Sequence, residues 1–104
     1  MEQSLKTDTQ TVLIVGRRDY VLQTFSDIVR KAGFTPLTLS TDEEVFKALR
    51  AKTYSVLLLG GGVEPNSRIA FREYVIQNRP QVKIIEHFGG PATLLDELRS
   101  AVRA

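Results

Sequence analysis

Three short clusters hold the residue types from which chemistry could be built. Gly16, Arg17, Arg18 and Asp19 follow the run TVLIV; Gly60, Gly61 and Gly62, then Val63 and Glu64, follow YSVLLL; Glu86 and His87 follow VKII. A glycine-rich turn leading into a helix presents backbone N–H groups to an anion, and a nearby guanidinium adds charge. Gly16, Gly60, Gly61 and Gly62 with Arg17 or Arg18 therefore make a candidate phosphate cradle. The plainer reading is three glycines that allow a sharp turn and two arginines in a solvated loop. No GxGxxG follows the first apolar run and no GxxxxGK[ST] occurs, so neither nucleotide signature is present. Glu86 and His87 are neighbours at a strand end, which sends their side chains to opposite faces and argues against an acid–base pair. His87 is expected on the surface or in a loop.

Other reactive chemistry is poorly supplied. The chain has no cysteine and one histidine, which excludes disulfides, thiolate zinc, cysteine nucleophiles and a multi-histidine metal site. Ser26, Ser40, Ser55, Ser67 and Ser100 include no G-x-S-x-G elbow. The expectation is a non-enzyme without metal or cofactor. Asp19 and Glu64 are the carboxylates nearest the arginines, and Asp19 reads first as a helix N-cap.

The elements that position these clusters alternate in type. TVLIV, Thr11–Val15, is a continuous β-branched run of the kind buried on both faces in a helix-covered parallel sheet. Val21, Leu22, Phe25, Ile28, Val29 and Ala32 then recur at helical spacing, and Gly33 supplies a left-handed stop. Residues 36–39 make a second strand. Ser40 with Glu43, or Thr41 with Glu44, forms a capping box for a helix that buries Val45, Phe46, Ala48 and Leu49. Residues 54–59 are the third and most apolar strand. Asn66 or Ser67 caps a third helix with Ile69, Phe71, Tyr74 and Val75 inward, before Pro80 blocks it. Residues 82–85 begin a fourth strand. Gly89, Gly90 and Pro91 lead into a last helix with Leu94, Leu95, Leu98, Ala101 and Val102 inward.

Four β-α units with short loops predict an α/β fold: a doubly wound, four-stranded parallel sheet in order 2-1-3-4 between two helix layers. Such sheets bind ligands outside the carboxyl ends of their strands, where all three clusters fall. At 104 residues the chain suits one domain, residues 11–104, behind a polar, flexible leader, residues 1–10. With 42% hydrophobic and 25% charged residues it is globular, not disordered. The net charge of +2 is a small excess, and basic residues such as Arg99 and Arg103 are scattered without an aromatic platform, against nucleic-acid binding. No apolar run nears the roughly 20 residues that cross a bilayer, and no signal peptide opens the chain. A cytoplasmic protein is expected.

TVLIV before a helix, YSVLLLGGGVEP, RPQVKII and the closing PATLLDELRSAV together resemble the receiver domain of two-component response regulators, over about residues 11–102. The resemblance implies a flavodoxin-like fold in bacterial signalling, with the first and last helices on one face of the sheet, because the family's final helix packs beside its first. It also implies an acidic pair after strand one, a phosphoacceptor Asp ending strand three, a Ser or Thr ending strand four and a late Lys. Carboxylates there hold Mg²⁺ while an Asp oxygen attacks phosphorus. Here the acidic pair falls on Gly16 and Arg17, or Arg17 and Arg18; the phosphoacceptor falls on Gly60, the Ser/Thr on Glu86 and the Lys on Gly90. Glycine offers no nucleophile, and guanidinium groups repel Mg²⁺. The family has five β-α units and this chain has room for four.

Two functions follow as expectations. One is a phosphorylation-independent pseudo-receiver that acts through a protein partner, with a homodimer across the open edge of strand four. The other is a small-ligand module that binds a phosphate-bearing metabolite or nucleotide at Gly16, Arg17, Arg18, Gly60, Gly61, Gly62, Glu86 and His87.

Overall fold

The computed structural model describes residues 10–51, 54–88 and 90–103. The expected leader lies outside these residues but for Gln10, as do Gly89 and the side chain of Arg103. Four strands and four helices alternate: β1 Thr11–Val15, α1 Asp19–Lys31, β2 Thr35–Leu39, α2 Asp42–Arg50, β3 Val56–Leu59, α3 Pro65–Asn78, β4 Lys83–Glu86 and α4 Pro91–Arg103. All pairings are parallel and the order is β2-β1-β3-β4, as the pattern predicts.

Strand alternation divides the core in two. Leu13, Val15, Leu57 and Leu59 face α2 and α3, against Val45, Leu49, Phe71 and Val75. Val12, Ile14, Val56 and Leu58 face α1 and α4, against Leu22, Phe25, Val29, Leu94 and Leu98. The first and last helices thus share a layer, as expected. β1 and β3 lie inside on both faces, which explains their unbroken apolar runs. No helix among the described residues is long and apolar enough to cross a membrane.

Local signals hold at most boundaries and fail at two caps. Gly33 takes φ +97° just past α1. Of the two capping boxes, Thr41 with Glu44 forms: Thr41 Oγ1 accepts from the Glu44 amide at 3.1 Å, and Glu44 Oε1 accepts from the Thr41 amide at 3.2 Å. Asp19 is not the N-cap of α1. Arg18 occupies that position in extended backbone without a side-chain cap, and Asp19, one residue inside, complements the helix dipole. Nor does Asn66 or Ser67 cap α3. Glu64 precedes it and Pro65 opens it, since the proline's missing N–H is one the helix end leaves unpaired anyway. Ile69, expected inward, is 48% exposed. Its inward place is taken by Arg68, which shares a stripe with Phe71 and Val75.

Candidate functional site

The turns after β1, β3 and β4 meet at the carboxyl edge of the sheet around a cleft of about 630 Å³. Gly16, Arg17, Arg18, Gly60, Gly61, Gly62 and His87 all line it. Glu86 does not. It turns to the α2–α3 side, where Arg68 Nη1 reaches it at 3.3 Å and Arg72 Nε at 3.4 Å. Glu86 and His87 diverge as strand alternation requires.

Arg17 is not solvated as the sequence suggests. Its guanidinium ties three loops together: Nη2 donates to Asp42 Oδ1 at 2.6 Å and to Glu64 Oε1 at 2.8 Å, and Nη1 donates to the Ser40 carbonyl at 2.7 Å. Ser67 Oγ donates to the other Asp42 oxygen at 2.7 Å. Burial pulls the Arg17 pKa down, but the hydrogen bonds and charges of Asp42 and Glu64 outweigh it and the net movement is upward. Asp42 is lowered by Ser67 and then Arg17; Glu64 is lowered by Arg17. A fixed cation thus sits between two carboxylates beside the end of β1. Arg18, by contrast, is exposed, and its guanidinium hydrogen-bonds the Tyr20 hydroxyl at 3.2 Å.

The glycine turn is held by Arg68, which is 8% exposed. Its Nη2 donates to the Gly60 carbonyl at 2.6 Å and its Nε to the Val63 carbonyl at 3.2 Å. Its guanidinium also lies 4.6 Å from the centre of the Phe88 ring, which lines the cleft. Gly60 allows a close approach: a Cβ there would stand 3.1 Å from the Val15 carbonyl oxygen.

His87 is 1% exposed, which overturns its expected surface position. The cause is its register. Ile85 points into the α1–α4 core, so His87, two residues on, points the same way. Its ring packs edge-on against Phe25 at 5.2 Å, and Nδ1 hydrogen-bonds Glu97 Oε1 on α4. Nε2 is buried with no partner among the described residues.

Asp42, Arg68 and Glu97 were not foreseen, although each had a signal. Arg68 lies three and seven residues before Phe71 and Val75 on one helical stripe. Glu97 flanks the Leu94–Leu98 stripe. Asp42 opens α2 at the end of β2, and β2 neighbours β1. Among the described residues, no three His, Asp or Glu side chains gather that could hold a metal ion.

No family model matches the sequence, and no curated protein matches it. Among solved structures the chain is similar to a response regulator from Thermotoga maritima, with a TM-score of 0.78 over 92% of this chain and 99% of that one. The two are 13% identical, so the likeness is one of fold. By its strand order, its paired helix layers and this neighbour, the chain has the receiver-like, flavodoxin-like α/β fold.

Proposed function

We propose that this chain is a phosphorylation-independent pseudo-receiver: a non-enzymatic, cytoplasmic module of bacterial signal transduction that works by protein–protein contact. Residues 11–104 form its one domain. The observation that carries the reading is the Arg17 guanidinium, bound between Asp42 and Glu64 beside Gly60. Phosphoryl transfer to a receiver needs a nucleophilic carboxylate and a divalent cation to neutralise developing charge. Gly60 supplies no nucleophile, and the fixed cation already satisfies the two carboxylates. What is left is a folded surface that contacts other proteins in a single state. One such partner is a second copy of the chain across the β4 edge.

Incubation with acetyl phosphate and Mg²⁺, followed by intact-mass measurement, tests the reading. The expected result is an unchanged mass. A phosphoryl adduct on any Asp or Glu at the carboxyl edge overturns it. Affinity capture from the native cell then recovers a discrete signalling protein, and an exposed-face variant, Ile69→Asp with Ile76→Asp, fails to recover it. Capture of nothing beyond background contradicts the interaction role.

A further inference from the structure

We propose that a second copy of the chain docks on β4 in a single register. The two β4 strands run antiparallel, Ile85 faces Ile85 across the two-fold axis, and Lys83 of each copy lies against Asp96 and Glu97 of the other. This rests on the reading that the chain works by protein–protein contact, and adds which edge is used and which residues meet.

The first observation separates the two edges that the sheet of the described residues presents. Within a strand, the N–H and C=O of one residue point to one side and those of the next to the other. In β2 the Thr35 amide donates to the Gln10 carbonyl at 2.9 Å, and the Leu39 carbonyl accepts from the Gly16 amide at 3.1 Å. Thr35, Leu37 and Leu39 therefore bond to β1, and Pro36 and Thr38 face outward. Pro36 has no N–H to offer, which closes that edge to a further strand. In β4 the Lys83 amide donates to the Ser55 carbonyl at 3.0 Å, and the His87 amide donates to the Leu59 carbonyl at 2.9 Å. Lys83, Ile85 and His87 thus bond to β3, while Ile84 and Glu86 turn both backbone groups outward. Neither is a proline, so this row can accept a strand.

The second observation fixes the register. In an antiparallel pair, outward residues stand opposite one another and exchange both hydrogen bonds. Ile84 opposite Glu86 of the second copy pairs every outward group of β4. Ile84 opposite Ile84 would set Glu86 against Val82, whose amide is already held by the Arg79 carbonyl at 2.9 Å. Glu86 opposite Glu86 would set Ile84 against Phe88, past the strand end. In the favoured register Ile85 falls on the axis, in the pair without hydrogen bonds that brings side chains closest. Glu86 meets Ile84 with its charge already held by Arg68 and Arg72.

The third observation is charge. Ile85 packs into the α1–α4 core, so Lys83, two residues earlier and exposed, lies on the same face of the sheet. Beside the edge on that face, α4 contributes Asp96, Glu97, Ser100 and Ala101 to a groove that Ile84 and Ile85 complete. Two such acidic rims meeting across an axis repel. The register sets Lys83 opposite His87 of the second copy, and His87 is the residue that Glu97 binds through Nδ1. Each lysine thus comes beside the acidic rim of the other copy, and the like charges gain a cation between them.

Hydrogen exchange and cross-linking of the full chain test the assignment. On raising the concentration into the tens of micromolar, the Ile84 and Glu86 amides are expected to slow by about tenfold, while Thr38, outward on β2, keeps its rate. The chain has no cysteine, so an introduced one reports one contact. Mild oxidation is expected to link Ile85→Cys into a dimer and to leave Ile84→Cys unlinked, with folding checked by circular dichroism. Lys83→Glu, at an exposed position, weakens association by about tenfold, and Asp96→Lys in the same chain restores it. Linking of Ile84→Cys in place of Ile85→Cys overturns the register, as does undiminished association of Lys83→Glu. Protection of the Ile84 and Glu86 amides by a captured protein, with none from concentration, gives the edge to another occupant; it overturns the proposal and leaves the interaction role standing. An acetyl-phosphate adduct counts against the pseudo-receiver reading and does not alter the exchange or cross-linking result.

Discussion

Arg17 satisfies two carboxylates with one guanidinium, and its acid response follows from that. Asp42 and Glu64 titrate below their unfolded values when folded, so the stability they contribute is fully present above about pH 4. It is lost as pH falls through the lowered folded values. Wild-type melting temperature is therefore expected to drop below about pH 4. Arg17→Met flattens that limb without abolishing it, because Glu44 is also lowered, by the amides of Ser40 and Thr41. At pH 7 the variant costs about 1 kcal/mol, the scale of its one part-buried hydrogen bond to the Ser40 carbonyl, since the ion pairs are screened by solvent. Melting curves of both proteins from pH 3 to 7 decide it; parallel acid limbs would clear Arg17 of the role. In the same assay, millimolar Mg²⁺ leaves wild type unmoved, since its carboxylates already hold a cation. A Mg²⁺-specific rise would mean that the metal displaces Arg17. Gly60→Asp, which restores a carboxylate, gains no phosphorylation. Its Cβ is pressed to 3.1 Å from the Val15 carbonyl, and Arg17 still fills the cation's place.

Helix ends show where local chemistry governs the elements. Gly33 holds φ +97° with open space around its missing Cβ, so the penalty for Gly33→Ala is backbone strain alone, about 1–2 kcal/mol. Thr41→Ala removes half of a reciprocal cap and costs about 1 kcal/mol. Chemical denaturation separates them from a neutral surface change such as Lys47→Ala, and no loss at Gly33 would contradict the strain account. These two signals were legible because each depends on a few adjacent residues. The strands were legible for a similar reason: β1 and β3 are inside on both faces and need apolar residues throughout. α3 was not. Its inward stripe begins with Arg68, which the glycine turn requires, and its exposed face carries Ile69 and Ile76. His87 was misplaced because polarity suggested solvent, whereas its register after Ile85 fixed it inside, where Glu97 on a distant helix satisfies one nitrogen. Glu97 flanks an apolar stripe, but nothing in the residues around His87 marks it as the partner.

At the scale of the whole molecule, the sheet of the described residues ends in an edge strand. Among those residues β4 pairs only with β3, which leaves its other row of backbone N–H and C=O groups without a strand partner. Such edges are usually covered, blunted or paired with another strand. Along β4 the charged ends Lys83 and Glu86 flank Ile84 and Ile85, and Glu86 is already held by Arg68 and Arg72. The blunting is thus partial. Arg72 reaches Glu86 from α3, and Ile69 and Ile76 share its helical stripe three and four residues away, so two exposed isoleucines, 48% and 57% accessible, flank the open edge. A second copy related by a two-fold axis would pair β4 with β4 in antiparallel sense and bring the two α3 stripes alongside it. Both the backbone groups and the apolar stripe would then be satisfied by one contact. Light scattering at tens of micromolar is expected to give the dimer mass, falling to the monomer on dilution. Ile76→Asp places a charge in the stripe without touching the core and is expected to give a folded monomer at the same concentration. A wild-type chain that stays monomeric across that range removes the edge-to-edge dimer. A dimer that survives Ile76→Asp with Ile69→Asp must form through another face, such as the outer side of α4.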